Sequence, residues 1–206
     1  MHIWKKIGNI ATIMIRKTII CLLLMLSIFD NINAQSMRSL WINMPDSVIG
    51  YLDTNSRIES LDYLEMKVKS DVKNMLGETS TVDTITNDFM SATLSSAMKL
   101  TIKKLPVDSN DSLICMVRTY TAGNQKESSI CFFNNKWEPL KINVEIPTQS
   151  NDNNIVLQQE ISSSDILVIQ LQPKVFVEDK EDENTAKSLI TLKWNPKSVK
   201  YTPKSL

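Results

Sequence analysis

Between Gly77 and Asn134 the sequence runs in blocks of five to nine residues rich in Thr, Ser, Val, Ile and Phe, each set off from the next by Asn, Asp or Gly. β-branched and aromatic side chains suit a pleated, half-buried surface and the separators supply turn conformations, so this stretch folds as short antiparallel strands. Strands are predicted at 81–86, 89–94, 97–105, 112–120 and 127–134. A turn at 107–111 and a five-residue loop at 121–125 would join the last three as a meander. With that loop, positions whose numbers sum to 246 face each other across the hairpin, which puts Cys115 opposite Cys131 and Leu113 opposite Phe133 on one face. Ile114 with Phe132 and Met116 with Ile130 fill the other, so this part of the sheet is covered on both sides. Opposed cysteines invite a disulfide between Cys115 and Cys131 in an oxidising compartment, and two buried small hydrophobes are the plainer alternative.

Ahead of the strands, residues 35–44 read as extended, and Met44-Pro45-Asp46-Ser47 opens a helical turn through Tyr51 and Leu52, Pro being tolerated in a first turn. Ser56-Arg57-Ile58-Glu59 is a capping-box pattern. From there Ile58, Leu61, Leu64, Val68, Val72, Met75 and Leu76 recur at spacings of three and four up to Gly77. This predicts one long helix ending at Gly77, with Glu65 and Lys69 paired on its exposed side. Helix followed by antiparallel strands gives an α+β module over 35–145, with the N-terminal helices packed on the sheet.

A second, smaller antiparallel β layer is expected over 146–206. Residues 147–164 form a polar connection with a short Ile155-Val156-Leu157 run, strands resume at 166–171 and 174–178, the acidic stretch 178–183 is a solvated hairpin tip, and 189–194 closes the hairpin. Trp137-Glu138-Pro139 and Trp194-Asn195-Pro196 each follow a strand block, a weak sign of tandem duplication.

Residues 1–34 read as a signal peptide: Lys5, Lys6, Arg16 and Lys17 precede or open an apolar run at 18–29, with cleavage expected between Ala34 and Gln35. Met14 is an alternative start. A dozen apolar residues fall short of the roughly 20 that span a bilayer, so no permanent anchor is expected. Cys21 lacks the small preceding residue that lipidation requires. Cleavage would leave 19 basic and 22 acidic residues, a net charge of −3, and would remove the only histidine, His2. Without imidazole, Ser-His-Asp and Cys-His sites and the commonest zinc ligand cannot be built. Near-zero charge without a basic block argues against nucleic acid as a partner, and Gly50, Gly77 and Gly123 make no phosphate-cradling loop. No cofactor and no metal are expected.

Other chemistry is sparse. Ser70-x-x-Lys73 matches the Ser-x-x-Lys pattern of penicillin-recognising enzymes without its companion motifs, and Ser96-x-x-Lys99 repeats the spacing in a strand. Asp46, Asp53, Glu59 and Asp62 lie near one another in sequence and would serve a carboxylate-based hydrolase only if two converged in a cleft. Trp41, Tyr51, Tyr63, Trp137 and Trp194 could form a recognition surface or staple layer edges. Asp46-Ser47-Val48, Asp83-Thr84-Ile85 and Asp111-Ser112-Leu113 fit the acceptor pattern of bacterial envelope O-glycosylation.

Trp41-x-x-Met44-Pro45-Asp46-Ser47, Tyr51-Leu52, Arg57, Leu61-Asp62, Asn74-x-Leu76, Lys104-Leu105-Pro106-Val107, Ile114-Cys115 and Trp137-x-Pro139-Leu140 carry a resemblance over roughly residues 40–140. The chain resembles a family of exported Bacteroidales proteins of unknown function. At fold level that family is similar to β-lactamase-inhibitor-like and peptidase-propeptide-like modules, a helical hairpin on a four-stranded antiparallel sheet, sometimes in tandem. The family carries no assigned activity; the inhibitor-like fold motivates the expectation of a non-catalytic periplasmic or secreted protein that binds a protein, peptide or glycan. A structural component of an envelope assembly is the alternative, and a carboxylate hydrolase a more distant one.

Overall fold

A computed structural model of the chain describes residues 35–107, 111–145, 155–173 and 188–203. The expected signal peptide, the strand at 174–178 and the acidic tip lie outside the described residues. Residues 35–206 form one compact unit, whose described residues are mostly antiparallel sheet with two short helices, α1 (Met37–Ile42) and α2 (Thr54–Glu65). The large sheet is a seven-stranded meander in sequence order, β1 (Asp71–Lys73), β2 (Thr79–Ile85), β3 (Phe89–Ser95), β4 (Met98–Pro106), β5 (Ser112–Ala122), β6 (Gln125–Phe133) and β7 (Pro139–Leu140). The small sheet holds β8 (Ile155–Ile161), β9 (Ile166–Pro173), β10 (Ser188–Asn195) and β11 (Lys200–Pro203), ordered β11-β10-β9-β8.

Three local expectations are corrected. Residues 35–44 are not extended: Ser36 caps α1 by accepting from the Ser39 N–H, and Met37, Leu40 and Trp41 are buried. The long helix is cut in half. Asp53, rather than Ser56, is its N-cap, accepting from the Ser56 N–H at 2.8 Å, and α2 ends where Lys67 takes a left-handed φ of 57°. Val72 then belongs to β1, while Val68, Met75 and Leu76 are exposed, so the three-four spacing beyond Leu64 does not mark a helix face. Glu65 consequently pairs with Arg38 and Lys69 with Asp71 instead of with each other. Buried Asn74 shapes the chain after β1: its amide donates to the Leu94 carbonyl at 2.7 Å, and its carbonyl accepts from the Leu76 and Glu78 N–H groups. Gly77, with φ 81°, supplies the left-handed residue before β2.

The third correction is the β5–β6 register. Ala122 pairs with Gln125 around a two-residue turn, Gly123-Asn124, so opposed positions sum to 247. Gly123 adopts φ 58°, a left-handed value suited to the first central position of so short a turn. Cys115 therefore faces Phe132, Cys131 faces Met116, and the two cysteines point to opposite faces of the sheet as free thiols. Both faces of β5 are nonetheless buried. Ile114 and Met116 join Trp41, Leu61, Leu100 and Trp137 in the core under the helices, and Leu113, Cys115 and Val117 join Leu167, Ile169, Leu192 and Trp194 in the core under the small sheet.

Arg57 is 1% exposed and ties the irregular segment before α2 together. Its guanidinium donates to the carbonyls of Leu52 at 2.5 Å and Met44 at 2.7 Å, to Asp46 at 3.0 Å and to Thr54 at 3.2 Å. Replacing it leaves those buried carbonyls without a donor, so Arg57→Ala is expected to destabilise the protein by about 3 kcal/mol, read as a lower urea midpoint at unchanged slope.

The thiols give a second check. Burial pushes the Cys115 thiol well above its ordinary pKa, and buried, protonated thiols are inert. Native protein starting at Gln35 should resist DTNB at Cys115 and release both thiols in non-reducing denaturant; finding no free thiol there would contradict this register.

Candidate functional site

The aromatic residues with recognition potential are structural. Trp41, Trp137 and Trp194 are each at most 5% exposed, and each indole N–H has an internal acceptor: the Ser60 hydroxyl at 3.3 Å, the Leu40 carbonyl at 3.2 Å and the Pro106 carbonyl at 2.7 Å. Trp137 stands edge-on to Phe133, and Trp194, Phe132 and Tyr201 pack against one another as a cluster of three rings. Tyr51 and Tyr63 are half-buried against the first core, with the Tyr63 hydroxyl donating to Glu59 at 2.5 Å. These rings do not form a common exposed surface.

The acidic residues disperse likewise. Asp46 holds Arg57, Asp53 caps α2, Glu59 accepts from Tyr63, and Asp62 accepts from Arg38 at 3.1 Å. The hydrogen bond from the Ser56 N–H keeps the Asp53 carboxyl below its usual range. Ser70 is buried and donates to the Ser60 carbonyl at 2.6 Å, while Lys73 is exposed on β1 rather than one helical turn away. Ser96 is held by Glu78 between β3 and β4. Of the three acceptor-pattern hydroxyls, Ser47 and Thr84 are exposed and Ser112 is half-buried. An open groove of about 330 Å³ between α1, α2 and the β2–β3 turn has an aliphatic lining of Met37, Leu61, Leu64 and Ile85, with the Arg38–Glu65 ion pair on its wall.

Two polar groupings go beyond the sequence reading. The first is internal. Lys103 is 1% exposed on the β4 face that meets the small sheet. Its ammonium donates to Asp88 at 2.5 Å and to the Ser163 carbonyl at 2.8 Å, and lies 3.0 Å from Asp165, so it joins the β2–β3 turn to the β8–β9 turn. Asp165 reaches it from a left-handed residue, φ 61°. Close by, Tyr201 is buried with its hydroxyl lacking a strong partner, and burial raises its pKa above the usual tyrosine range. The clue in the sequence was positional: Lys103 alternates with Thr101 and Leu105, on a face whose apolar neighbours require cover.

The second grouping is the part of that same face which the small sheet leaves open, since β8 lies over β6, β5 and part of β4. Pairing aligns Asp71, Thr81, Thr93, Lys99, Thr119 and Ser128 in one row across β1 to β6. Adjacent strands are about 4.8 Å apart, so the row is roughly 24 Å long. A bulge between Val82 and Thr84 brings Asp83 beside it, and Ser91 and Thr101 begin a second row. The carboxylates orient the hydroxyls: Asp71 accepts from Thr81 at 2.5 Å, Asp83 from Thr93 at 3.0 Å and from Ser91 at 3.3 Å, and Thr119 bonds Ser128 at 2.9 Å. Hydrogen bonds from Lys69 and Thr81 hold the Asp71 carboxyl below its usual pKa. Asp83 and Lys99 are exposed, Thr81, Thr93, Thr101 and Thr119 are half-buried, and Ser91 and Ser128 are buried, so the open part of the row runs from β1 to β4.

The family described as "Protein of unknown function (DUF3256)" matches residues 29–191. The chain belongs to the DUF3256 family. No curated protein matches it. Its fold is similar to a solved domain of an uncharacterized protein from Porphyromonas gingivalis W83, with a TM-score of 0.64 and 17% identity, covering 83% of this chain and 98% of that one. A family of unknown function was expected, and the match to DUF3256 extends past residue 145, where the resemblance in sequence stopped. Among the described residues of this DUF3256 chain no group of three or more His, Cys, Asp or Glu gathers as for a metal, and no helix is long and apolar enough to cross a membrane.

The Lys103 contacts generate a paired prediction. The hydrogen bond from Lys103 holds the Asp88 carboxyl below the ordinary aspartate range, so it contributes stability above that range that is lost as pH falls through its lower folded value. Asp88→Asn with Asp165→Asn leaves a buried cation unpaired and is expected to cost about 3–5 kcal/mol at neutral pH. Lys103→Met removes the cation and leaves Asp88 largely exposed and Asp165 one-third exposed, so it should cost less; urea midpoints of both variants at neutral and acid pH test the ordering.

Proposed function

We propose that the protein is an exported, non-catalytic binding protein whose open β1–β4 face takes a glycan. The observation that carries this reading is the row of oriented hydroxyls and carboxylates from Asp71 to Thr119, polar throughout and flanked by Asp83. A protein partner would call for aromatic or aliphatic anchors at the centre of the patch. A polyhydroxyl ligand instead matches alternating donors and acceptors fixed by the strand spacing. Engagement of each sequence-flagged carboxylate with its own partner supports the non-catalytic part. Export is supported by the charged and apolar leader and by the compact unit's beginning at Gln35, next to the expected cleavage position.

Titration of the isotope-labelled protein with envelope polysaccharide and with muropeptides tests the reading by amide shifts. Shifts should centre on Asp71, Thr81, Asp83, Thr93 and Lys99, and Asp83→Ala should weaken binding about tenfold or more, the loss expected for a hydrogen bond to a charged acceptor. Shifts confined to the α1–α2 groove, or none with either ligand class, would sink it.

A further inference from the structure

Gln35 is a docked residue. Its carbonyl accepts from the Lys104 ammonium at 2.7 Å, across 69 positions of sequence. Its side-chain amide makes only a long contact, 3.4 Å, to the Ser39 hydroxyl, and the next residue, Ser36, caps α1. The compact unit starts at this residue. If the chain is cleaved after Ala34, as the export reading has it, Gln35 becomes the N-terminus. A free α-ammonium, with a pKa of about 8, would then stand on the residue whose carbonyl already binds the Lys104 ammonium, putting two cations side by side.

We propose that Gln35 is a modification site, and that the mature N-terminus is closed to pyroglutamate. The α-amine nitrogen attacks the side-chain Cδ, an N–Cδ bond forms, the Cδ–Nε2 bond breaks, and ammonia leaves carrying a proton from the amine. No oxidant or co-reactant is needed. The product is a neutral lactam. It keeps the carbonyl that Lys104 binds and the Ser36 cap, and gives up only the 3.4 Å contact to Ser39. One cation therefore remains where two would have met, and the end that anchors α1 is closed to aminopeptidases.

The inference rests on the export reading, and intact mass with stepwise N-terminal degradation of the chain recovered from its native host separates the two. Closure predicts a mass about 17 Da below that of residues 35–206, an N-terminus blocked to degradation, and release of the block by a pyroglutamyl peptidase. Gln35→Ala, which retains the backbone carbonyl that Lys104 binds, should be cleaved at the same bond and be open to degradation. The full mass with a readable Gln35 would overturn closure and leave export standing. A start at another residue would likewise overturn closure alone, and a retained leader would overturn both.

Discussion

β5 has no face to spare. Residues 113–117, Leu-Ile-Cys-Met-Val, are all at most 4% exposed, and because strand side chains alternate, such a run needs cover on both sides. The helices with the first core meet one side and the small sheet meets the other. Much of the remaining architecture follows from this. Arg118 leaves the dry run and donates to the Val48 carbonyl at 2.7 Å, stitching the segment before α2 to the strand. Lys103 sits directly opposite Cys115 in the ladder, on the side where the small sheet lands. A cation there is tolerated only because Asp88, Ser163 and Asp165 converge on it from two turns.

The strands were legible because their signals are local. Thr, Val and Ile runs bounded by Asn, Asp and Gly identified β2 to β6 to within a few residues, and the apolar pairs on both sides of β5 announced two layers. The helix was misread because periodicity is degenerate: Val68, Met75 and Leu76 keep a three-four spacing while pointing to solvent, and nothing marks Lys67 as left-handed. The hairpin failed by a single position. Gly123-Asn124 is itself a two-residue turn signal, and taking Thr121, Ala122 and Gln125 as loop moved Cys131 to the wrong face. β11 and the full length of β8 went unseen in short or polar stretches.

Candidate site residues were less legible than the fold, for a physical reason. Aromatic side chains advertise both recognition and core packing, and here bulk prevailed: Trp41, Trp137 and Trp194 each fill core space while the N–H finds a carbonyl or hydroxyl. The open face consists of threonines, serines and ordinary charges whose significance lies in alignment, and alignment exists only once six strands are in register. Asp71, Thr81, Thr93, Lys99, Thr119 and Ser128 span 57 positions of the chain without any local pattern.

The borders of the large sheet limit how anything can approach it. β1 is three residues long and carries Asp71 and Lys73; β7 is two residues long and begins with Pro139; β2 is bulged beyond the reach of β1, and the uncapped run of β6 presents Lys126 and Glu127. Short, charged, proline-bearing or bulged borders resist extension by a foreign strand. The large sheet is thus a poor template for its own copies and for extended peptides. The glycan proposed for the open face would lie across the grain of its strands.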